Sequence, residues 1–397
     1  MLSALGDPHR VADAVHVGGT NGKGSTAALV ETALRRAGRR TGLYTSPHLH
    51  RFEERIRIQG ETIDPGLLEA CAEAVLPLAE AEDASFFEAT TVLAFEAFRR
   101  AGCDAVSIEV GLGGRLDATN VLEPRATVIS SVDRDHSEYL GDSLAEIAGE
   151  KAGILKPGVP CVLGPLDPVA LEVVESRARH LDAPVHRYGE AFEAGDVSVR
   201  LDGTSFSYRS DGWADGLRVR IPLVGDHQAR NASLAIRSLE SFDSGVGRDS
   251  VASGFGELSW PGRFEYVGTK AGSWILDIAH NPQAARQLAA LLETLPVPRP
   301  RALLLAVLGD KSWDEMLGPL LEQVTACVFT VAPSSPRERR WDPRDALRAA
   351  RDRRVEVESD FHRAVDRARE LARDGTVIVT GSAHTVGDAR ARILPIE

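Results

Sequence analysis

The chain has 397 residues, enough for two domains with a core each. It is 43% hydrophobic and 26% charged, the balance of a globular protein rather than a disordered or membrane-spanning one. A formal net charge of −12 argues against a nucleic-acid partner, and it requires that any anionic substrate meet a locally basic site. Cys71, Cys103, Cys161 and Cys327 lack metal-like spacing, so buried free thiols in a reducing cytoplasm are expected. No run is long and apolar enough to span a bilayer and no signal-peptide core is present, so a cytoplasmic protein without membrane association is expected.

Ala14-Val15-His16-Val17 reads as a buried strand. Thr26, Val30, Ala33, Leu34 and Ala37 fall on one face of a following helix, and Gly38 ends it. Between them runs Gly18-Gly19-Thr20-Asn21-Gly22-Lys23-Gly24-Ser25. A glycine-rich turn between strand and helix points backbone N–H groups at an anion, and the helix dipole adds its positive end. Lys23 is placed to reach the β- and γ-phosphates of a nucleotide, and Ser25 or Thr26 to offer a hydroxyl to Mg²⁺. The run departs from the standard phosphate loop at Val17, where glycine is usual, and at Gly24, where a hydroxyl residue is usual.

Thr41–Thr45 reads as a second strand, ending in Ser46-Pro47-His48 at a position where open α/β sheets bind ligands. Arg51–Ile58 carries three arginines and reads either as a solvated charged strand or as an anion site beside the phosphate loop. Helices are expected over 64–82 and 86–101, the second with an aromatic stripe suited to a core. Asp104–Val110 is a buried strand carrying Glu109 near its end, which is what a Mg²⁺ site needs downstream of a phosphate loop. A flexible turn, Gly111–Asp117, follows. The strand Ala126–Ser130 leads to Asp135-His136, where the histidine is either structural or a metal ligand. Asp142 or Ser143 caps the next helix, with Ser143 and Glu146 spaced as a capping box. That helix ends in Glu150-Lys151-Ala152-Gly153, where Lys151 by itself reads as a solvated residue, and Pro160–Leu163 is the next strand.

Residues 184–223 change to short alternating segments, which predict a small antiparallel sheet. A helix opens at Gly225–Asn231. Pro261-Gly262 punctuates a junction, so the expected domains are 1–258 and 266–397 with a linker at 259–265. Beyond it, strands at Ser273–Leu276, Arg301–Val307, Ala326–Val331, Val355–Val357 and Thr376–Thr380 alternate with helical lengths, which predicts a parallel sheet. Asp277–Asn281, Gly309-Asp310-Lys311 and Gly381–His384 lie at the ends of these strands, on the edge where ligands bind.

Taken in order, His16–Thr26, Gly42–His48, Phe86-Phe87-Glu88, Glu109–Asn120, Asp135-His136, Glu150–Ile154, His227–Asn231, Pro261-Gly262-Arg263 and Asp277–Asn281 resemble the Mur ligase superfamily. Gly24 after Lys23 resembles its folylpolyglutamate synthase/dihydrofolate synthase branch. The resemblance implies an α/β fold: a phosphate-loop ATPase domain with a small antiparallel sheet, then a Rossmann-like glutamate-ligase domain. It implies ATP held by Gly19, Thr20, Asn21, Gly22, Lys23, Gly24, Ser25 and Thr26, with Asn231, Arg263 and Asp277 also on the nucleotide. It implies two Mg²⁺ ions, one at Ser25 and one on Ser46, Glu109 and His136. Lys151 matches a lysine that this family carbamylates. Arg55 lies in the substrate-facing stretch, and His280 and Ser382 match positions near the incoming glutamate. The family usually has Ala at Gly18, Gly at Ile278 and Leu-Tyr at Ala383-His384. It also has a longer N-terminal helix than residues 1–13 offer, so further chain upstream is expected.

The implied reaction activates a pterin carboxylate as an acyl phosphate and then joins it to L-glutamate, with His280 or Asp277 taking the amine proton and domain closure excluding water. The acceptor is dihydropteroate, a reduced folate or both, and the protein is expected to be a monomer. Two alternatives are another Mur-type amino-acid ligase, for a different pterin or a cell-wall precursor, and an ATP-binding regulator that ligates nothing.

Overall fold

The computed structural model describes residues 1–135, 137–242, 244–270, 272–350 and 355–394. Two short 3₁₀ turns, Ser3–Leu5 and Pro8–Arg10, precede the first strand. The chain then runs β1 (Asp13–Gly18), α1 (Lys23–Arg36), β2 (Thr41–Tyr44), β3 (Ile56–Ile58), β4 (Glu61–Thr62), α2 (Pro65–Ala81), α3 (Phe86–Arg100), β5 (Ala105–Glu109), β6 (Ala126–Ile129), α4 (Ser137–Leu140), α5 (Leu144–Ala152), β7 (Cys161–Leu163), α6 (Pro168–His180) and β8 (Val185–Arg187). These strands form one sheet in the order β4-β3-β2-β5-β1-β6-β7-β8. It is parallel from β2 to β8, and β3 and β4 join antiparallel at the edge. The arginine-bearing stretch is only partly strand, because Phe52–Arg55 winds into a 3₁₀ turn before β3.

Local chemistry starts the helices where the sequence places them. Asp64 accepts the Leu67 N–H ahead of Pro65 to open α2, and Ser85 with Glu88 forms a capping box on α3. Ser143 with Glu146 forms another on α5. The strands bury apolar faces on both sides, as a parallel sheet requires. Gly42 is a fixed point of that packing, since a Cβ there would lie 2.5 Å from the Phe98 ring. Burying Phe98 beneath it stabilises the domain by roughly 2 kcal/mol. All four cysteines are buried.

A small sheet follows in the order β11-β10-β9, built from β9 (Phe192–Arg200), β10 (Gly203–Ser210) and β11 (Leu217–Ile221). The strand at 185–187 belongs to the large sheet instead, paired parallel with β7. Next come α7 (Asp226–Glu240) and α8 (Arg248–Gly256).

The remaining elements are β12 (Glu265–Thr269), β13 (Gly272–Leu276), α9 (Pro282–Thr294), β14 (Arg301–Leu305), α10 (Trp313–Leu321), β15 (Ala326–Phe329), α11 (Pro343–Ala349), β16 (Val355–Val357), α12 (Phe361–Ala372), β17 (Thr376–Thr380) and α13 (Ala383–Ile393). Their sheet has the order β12-β13-β17-β14-β15-β16. It is parallel except for β12, an antiparallel edge strand that the sequence pattern did not reveal. One compact unit comprises 1–198, 204–222 and 226–259, and the other comprises 199–203, 223–225 and 260–397. The second unit has its own core, which includes Ile275, Leu303, Phe329 and Ile378. Among the described residues no helix is long and apolar enough to cross a membrane.

Candidate active site

In the first unit, the C-terminal ends of β2, β5, β1 and β6 lie side by side, and the conspicuous polar residues gather there. The turn after β1 is held from the end of β6. Thr20 N–H donates to the Ser131 carbonyl at 2.8 Å, and Asn21 N–H to Ser131 Oγ at 2.9 Å. Ser130 Oγ donates to the Asn21 carbonyl at 2.6 Å. Thr20 Oγ1 donates to the Asp133 carbonyl at 3.1 Å and accepts its N–H at 3.0 Å. Gly19 sits at φ +142°, and a Cβ there would meet Ser130 Oγ at 2.1 Å, so only glycine fits. Ser130, Ser131 and Asp133 carry the loop and were not singled out from sequence; the only hint was a pair of serines ending a strand.

Gly22, at φ +87°, caps α1 with no side chain, and the first turn of the helix holds no acid. The leading N–H groups of α1 and its dipole therefore face outward for an anion to neutralise. Two amines converge on the same turn. Lys23 Nζ donates to the Thr20 carbonyl at 3.1 Å and Lys151 Nζ to the Gly19 carbonyl at 3.0 Å. Lys151 is not a solvated residue: it is 3% exposed. Burial, then the charge of Lys23, pushes its amine down to about 7, against a smaller pull from Asp135. Gly24, Ser25 and Thr26 are buried in the first turn of α1, and Thr26 Oγ1 has no hydrogen-bond partner among the described residues.

Glu109, the last residue of β5, is 5% exposed, and its Oε2 accepts the Ser46 N–H at 3.0 Å. Ser46 and Glu109 are thus brought together, whereas His136 lies outside the described residues. One carboxylate with nearby hydroxyls suits Mg²⁺, which takes few protein ligands and keeps waters or phosphate oxygens. Among the described residues no cluster of three or more His, Cys, Asp or Glu side chains could hold a metal.

Arg55 donates from Nε to His48 Nδ1 at 2.8 Å, and its guanidinium lies 5.6 Å from the Phe86 ring centroid and 6.0 Å from that of Phe52. Burial lowers its pKa while Tyr44 and Glu109 oppose the shift. Phe86 is 65% exposed, so the sequence's aromatic stripe presents one ring outward instead of burying all of them. A cation between open aromatic faces is suited to a flat, carboxylate-bearing molecule. Asn231, on α7, approaches so closely that a Cβ on Gly22 would meet its Oδ1 at 2.5 Å.

In the second unit, β13 and β17 end together. Asp277 N–H donates to the Val379 carbonyl, and Gly381 N–H to the Ala279 carbonyl, each at 3.0 Å. This pairing brings Asp277, His280 and Ser382 to one sheet edge. Asp277 accepts the Phe264 N–H at 2.8 Å and the Ala279 N–H at 2.9 Å, one on each oxygen, which fixes the turn next to Arg263. Arg263 Nη1 donates to the Gly262 carbonyl at 3.2 Å. His280 Nδ1 donates to the Ile278 carbonyl at 2.9 Å, so the neutral ring carries its lone pair on Nε2. Ile278 does not have the positive φ that would require glycine there. Asn281 and Ser382 cap α9 and α13. His384 pairs with Ser334 Oγ at 3.2 Å, and that hydroxyl donates to Asp388 at 3.1 Å.

A parallel sheet with a glycine–lysine loop at its switch point, followed by a second parallel-rich sheet with polar strand ends, defines a nucleotide-binding ligase of the Mur type. The Mur ligase middle domain model matches residues 17–239, and the Mur ligase glutamate ligase domain model matches 262–384. The chain is 35% identical to a Mycobacterium tuberculosis dihydrofolate synthase/folylpolyglutamate synthase, over 98% of this chain and 88% of that protein. It is 37% identical to a probable bifunctional folylpolyglutamate synthase/dihydropteroate synthase of Haloferax volcanii, over 98% of this chain; it spans about half of that relative, 47%. An Escherichia coli FolC structure in complex with DHPP and ADP superposes with a TM-score of 0.86 at 30% identity, covering 98% of this chain and 91% of that one. The chain belongs to the folylpolyglutamate synthase/dihydrofolate synthase family, whose members are ATP-dependent ligases.

Proposed function

We propose that the protein joins L-glutamate to a pterin-borne carboxylate, using dihydropteroate, a reduced folate or both as acceptor, at the expense of ATP. The observation that carries this reading is the convergence of Lys23 and buried Lys151 on the Gly19 and Thr20 carbonyls, beside an uncapped helix start and the Ser46–Glu109 pair. Gly19 to Thr26 hold the phosphates, and Asn231, Arg263 and Asp277 contact the nucleotide. Ser25 at one position, and Ser46, Glu109 and His136 at the other, would hold Mg²⁺, which when bound would offset charge on the transferring phosphoryl group. Lys23 faces the same charge. Lys151, with its amine pushed down to about 7, is largely a free amine above neutral pH and open to carbamylation by carbon dioxide. Arg55 between Phe52 and Phe86 orients the acceptor.

A carboxylate oxygen of the acceptor attacks the γ-phosphorus, and ADP leaves. The α-amine of glutamate then attacks the activated carbonyl, the C–O bond to phosphate breaks, and inorganic phosphate departs. The proton lost from the amine goes to His280 Nε2, because the Asp277 oxygens already accept two backbone N–H groups. Ser382 sits beside the incoming glutamate. The protein acts as a monomer in the cytoplasm.

The test is phosphate release from Mg-ATP with glutamate, run in parallel with dihydropteroate and with a reduced monoglutamyl folate. Glutamate-dependent release with either acceptor supports the reading, and the acceptor used assigns the branch. Release indifferent to glutamate and to both acceptors refutes it.

A further inference from the structure

Of the stretch Glu109–Asn120, the chemistry above uses only Glu109. The rest forms a strap that is tied down on two sides. On one side, Thr119 Oγ1 donates to Asp117 Oδ1 at 2.5 Å. Asp117 also accepts the Thr119 N–H at 3.0 Å on that oxygen and the Leu112 N–H at 2.9 Å on the other. His16, on β1 and fully buried, meets Thr119 Oγ1 through Nε2 at 2.8 Å. The threonine's one proton is given to Asp117, so the imidazole donates and carries its proton on Nε2. Burial, and then the charge of Lys156, pushes the ring down to about 3, so this peg stays neutral.

On the other side, the strap lies on the C-terminal turn of α5. A helix leaves its last carbonyls without intrahelical partners. Here the Arg115 N–H takes the Glu150 carbonyl at 2.8 Å. The Asn120 Nδ2 group takes the Gly153 carbonyl at 3.1 Å and the Arg115 carbonyl at 3.0 Å. Both amide hydrogens face carbonyls, so a rotated Asn120 would set its own oxygen against two acceptors, and its orientation is fixed. Lys156 Nζ holds the Asn120 carbonyl at 2.7 Å. The Arg115 guanidinium adds two bonds to Glu150 Oε1, at 3.0 and 2.8 Å. The backbones approach so closely that a Cβ on Gly114 would lie 2.8 Å from the Glu150 carbonyl oxygen, and one on Gly153 would lie 2.4 Å from Arg115 Cα. Lys151 sits between the gripped residues Glu150 and Gly153, and its amine reaches the carbonyl of Gly19, three residues beyond His16.

We infer that Asn120 is a positioning residue: the strap it closes ties the end of α5 to β1 and so sets the Lys151 amine at the Gly19 carbonyl, out of water, where it takes up carbon dioxide. The inference rests on the carbamylation of Lys151 proposed above. In that step the Nζ lone pair attacks the carbon of carbon dioxide and an N–C bond forms. One C=O electron pair moves onto oxygen, and one amine proton passes to the buffer. The attack requires an unprotonated amine. Lys151 has one near neutral pH because it is buried and lies beside Lys23 of α1, against the smaller pull of Asp135 after β6. With Asn120 removed, the Gly153 carbonyl loses its donor and the last turn of α5 frays. The amine then reaches water and keeps its proton. The strap thus acts on the chemistry through Lys151 and touches no substrate itself.

The experiment titrates the full-length protein with ¹³C-labelled bicarbonate and reads the carbamate carbon by NMR, with Lys151→Met to assign the signal. In Asn120→Ala, the bicarbonate concentration that gives half occupancy is expected to rise about 5- to 10-fold. Thr119→Val cuts the peg to His16 and leaves Asn120 in place. It carries the same expectation at about 3-fold, and it serves where the alanine variant does not fold. Phosphate release is read alongside. Excess bicarbonate should restore kcat in both variants, which a merely structural defect would not allow, while affinity for ADP stays that of wild type. Carbamate occupancy unchanged in both variants, or lost activity that bicarbonate does not restore, overturns the inference. A wild type without a carbamate signal that Lys151→Met removes overturns the carbamylation reading itself, and the inference with it.

Discussion

Lys151 is 3% exposed, yet an unfolded lysine holds its proton up to about pH 10.4. Folding moves that amine to about 7, chiefly through burial and then through the neighbouring charge of Lys23. At pH 7 the difference corresponds to about 4 kcal/mol set against folding. The bond to the Gly19 carbonyl, at 3.0 Å, returns about 1 kcal/mol. Lys151→Met fills similar space with no charge and leaves the Gly19 carbonyl to find water. The variant is expected to be more stable than wild type by about 2 kcal/mol at pH 7, or roughly 4 °C in Tm for a domain of this size. It is also expected to be inactive. The sign with pH follows from the lowered native pKa: between pH 7 and 10 the unfolded chain binds more protons, so wild-type stability rises through that window. The wild type should therefore gain on the variant by up to about 1.4 kcal/mol per pH unit, close the gap near about pH 9 and be the more stable of the two at pH 10. The assay is thermal unfolding of both proteins from pH 5 to 10 in buffer freed of carbon dioxide, with phosphate release measured alongside. A variant less stable than wild type at pH 7, or a gap unchanged up to pH 10, would refute the reasoning.

Lys23→Ala is expected to leave Tm within about 1 °C and to reduce ATP turnover at least about 100-fold, since among the described residues its amine donates to the Thr20 carbonyl alone. Initial-rate measurement at saturating ATP checks this, and near-normal turnover would remove the loop from the mechanism. Gly22→Ala places a methyl group at φ +87° against Asn231 Oδ1; a loss of about 2 kcal/mol and a raised KM for ATP are expected in denaturant titration and kinetics. Arg55→Met removes the cation between Phe52 and Phe86. It should raise KM for the acceptor about 10-fold or more, while KM for ATP and glutamate stay near wild type.

The residues of the phosphate loop were legible because their chemistry is local. A strand, two glycines at positive φ (Gly19 and Gly22) and a lysine sit close together in the chain, and neither distant partners nor sheet order is needed to recognise them. The strand ends at Glu109, Asp277 and Ser382 were legible for a similar reason, since a buried run that stops at a polar residue marks the edge of a sheet. Other features depend on contacts between segments far apart in the chain. The grip of Ser130 and Ser131 on Asn21 spans more than a hundred residues, and a pair of serines ending a strand is its one local sign. Likewise β12 is an edge strand, and its short, partly exposed pattern becomes recognisable only when it pairs with β13.

Lys151 shows most clearly where each kind of information ends. By itself, the sequence determined the succession of strands and helices, the capping residues that start them, and the lysine and glycines of the loop, because propensity, period and turn chemistry act over a few residues. Only the tertiary structure decided that a lysine ending a helix, which its neighbours mark as solvated, is buried against the carbonyl of Gly19 and loses most of its affinity for a proton. Desolvation and charge proximity depend on what surrounds a group in space, and α5 acquires those surroundings only when it packs beneath the loop.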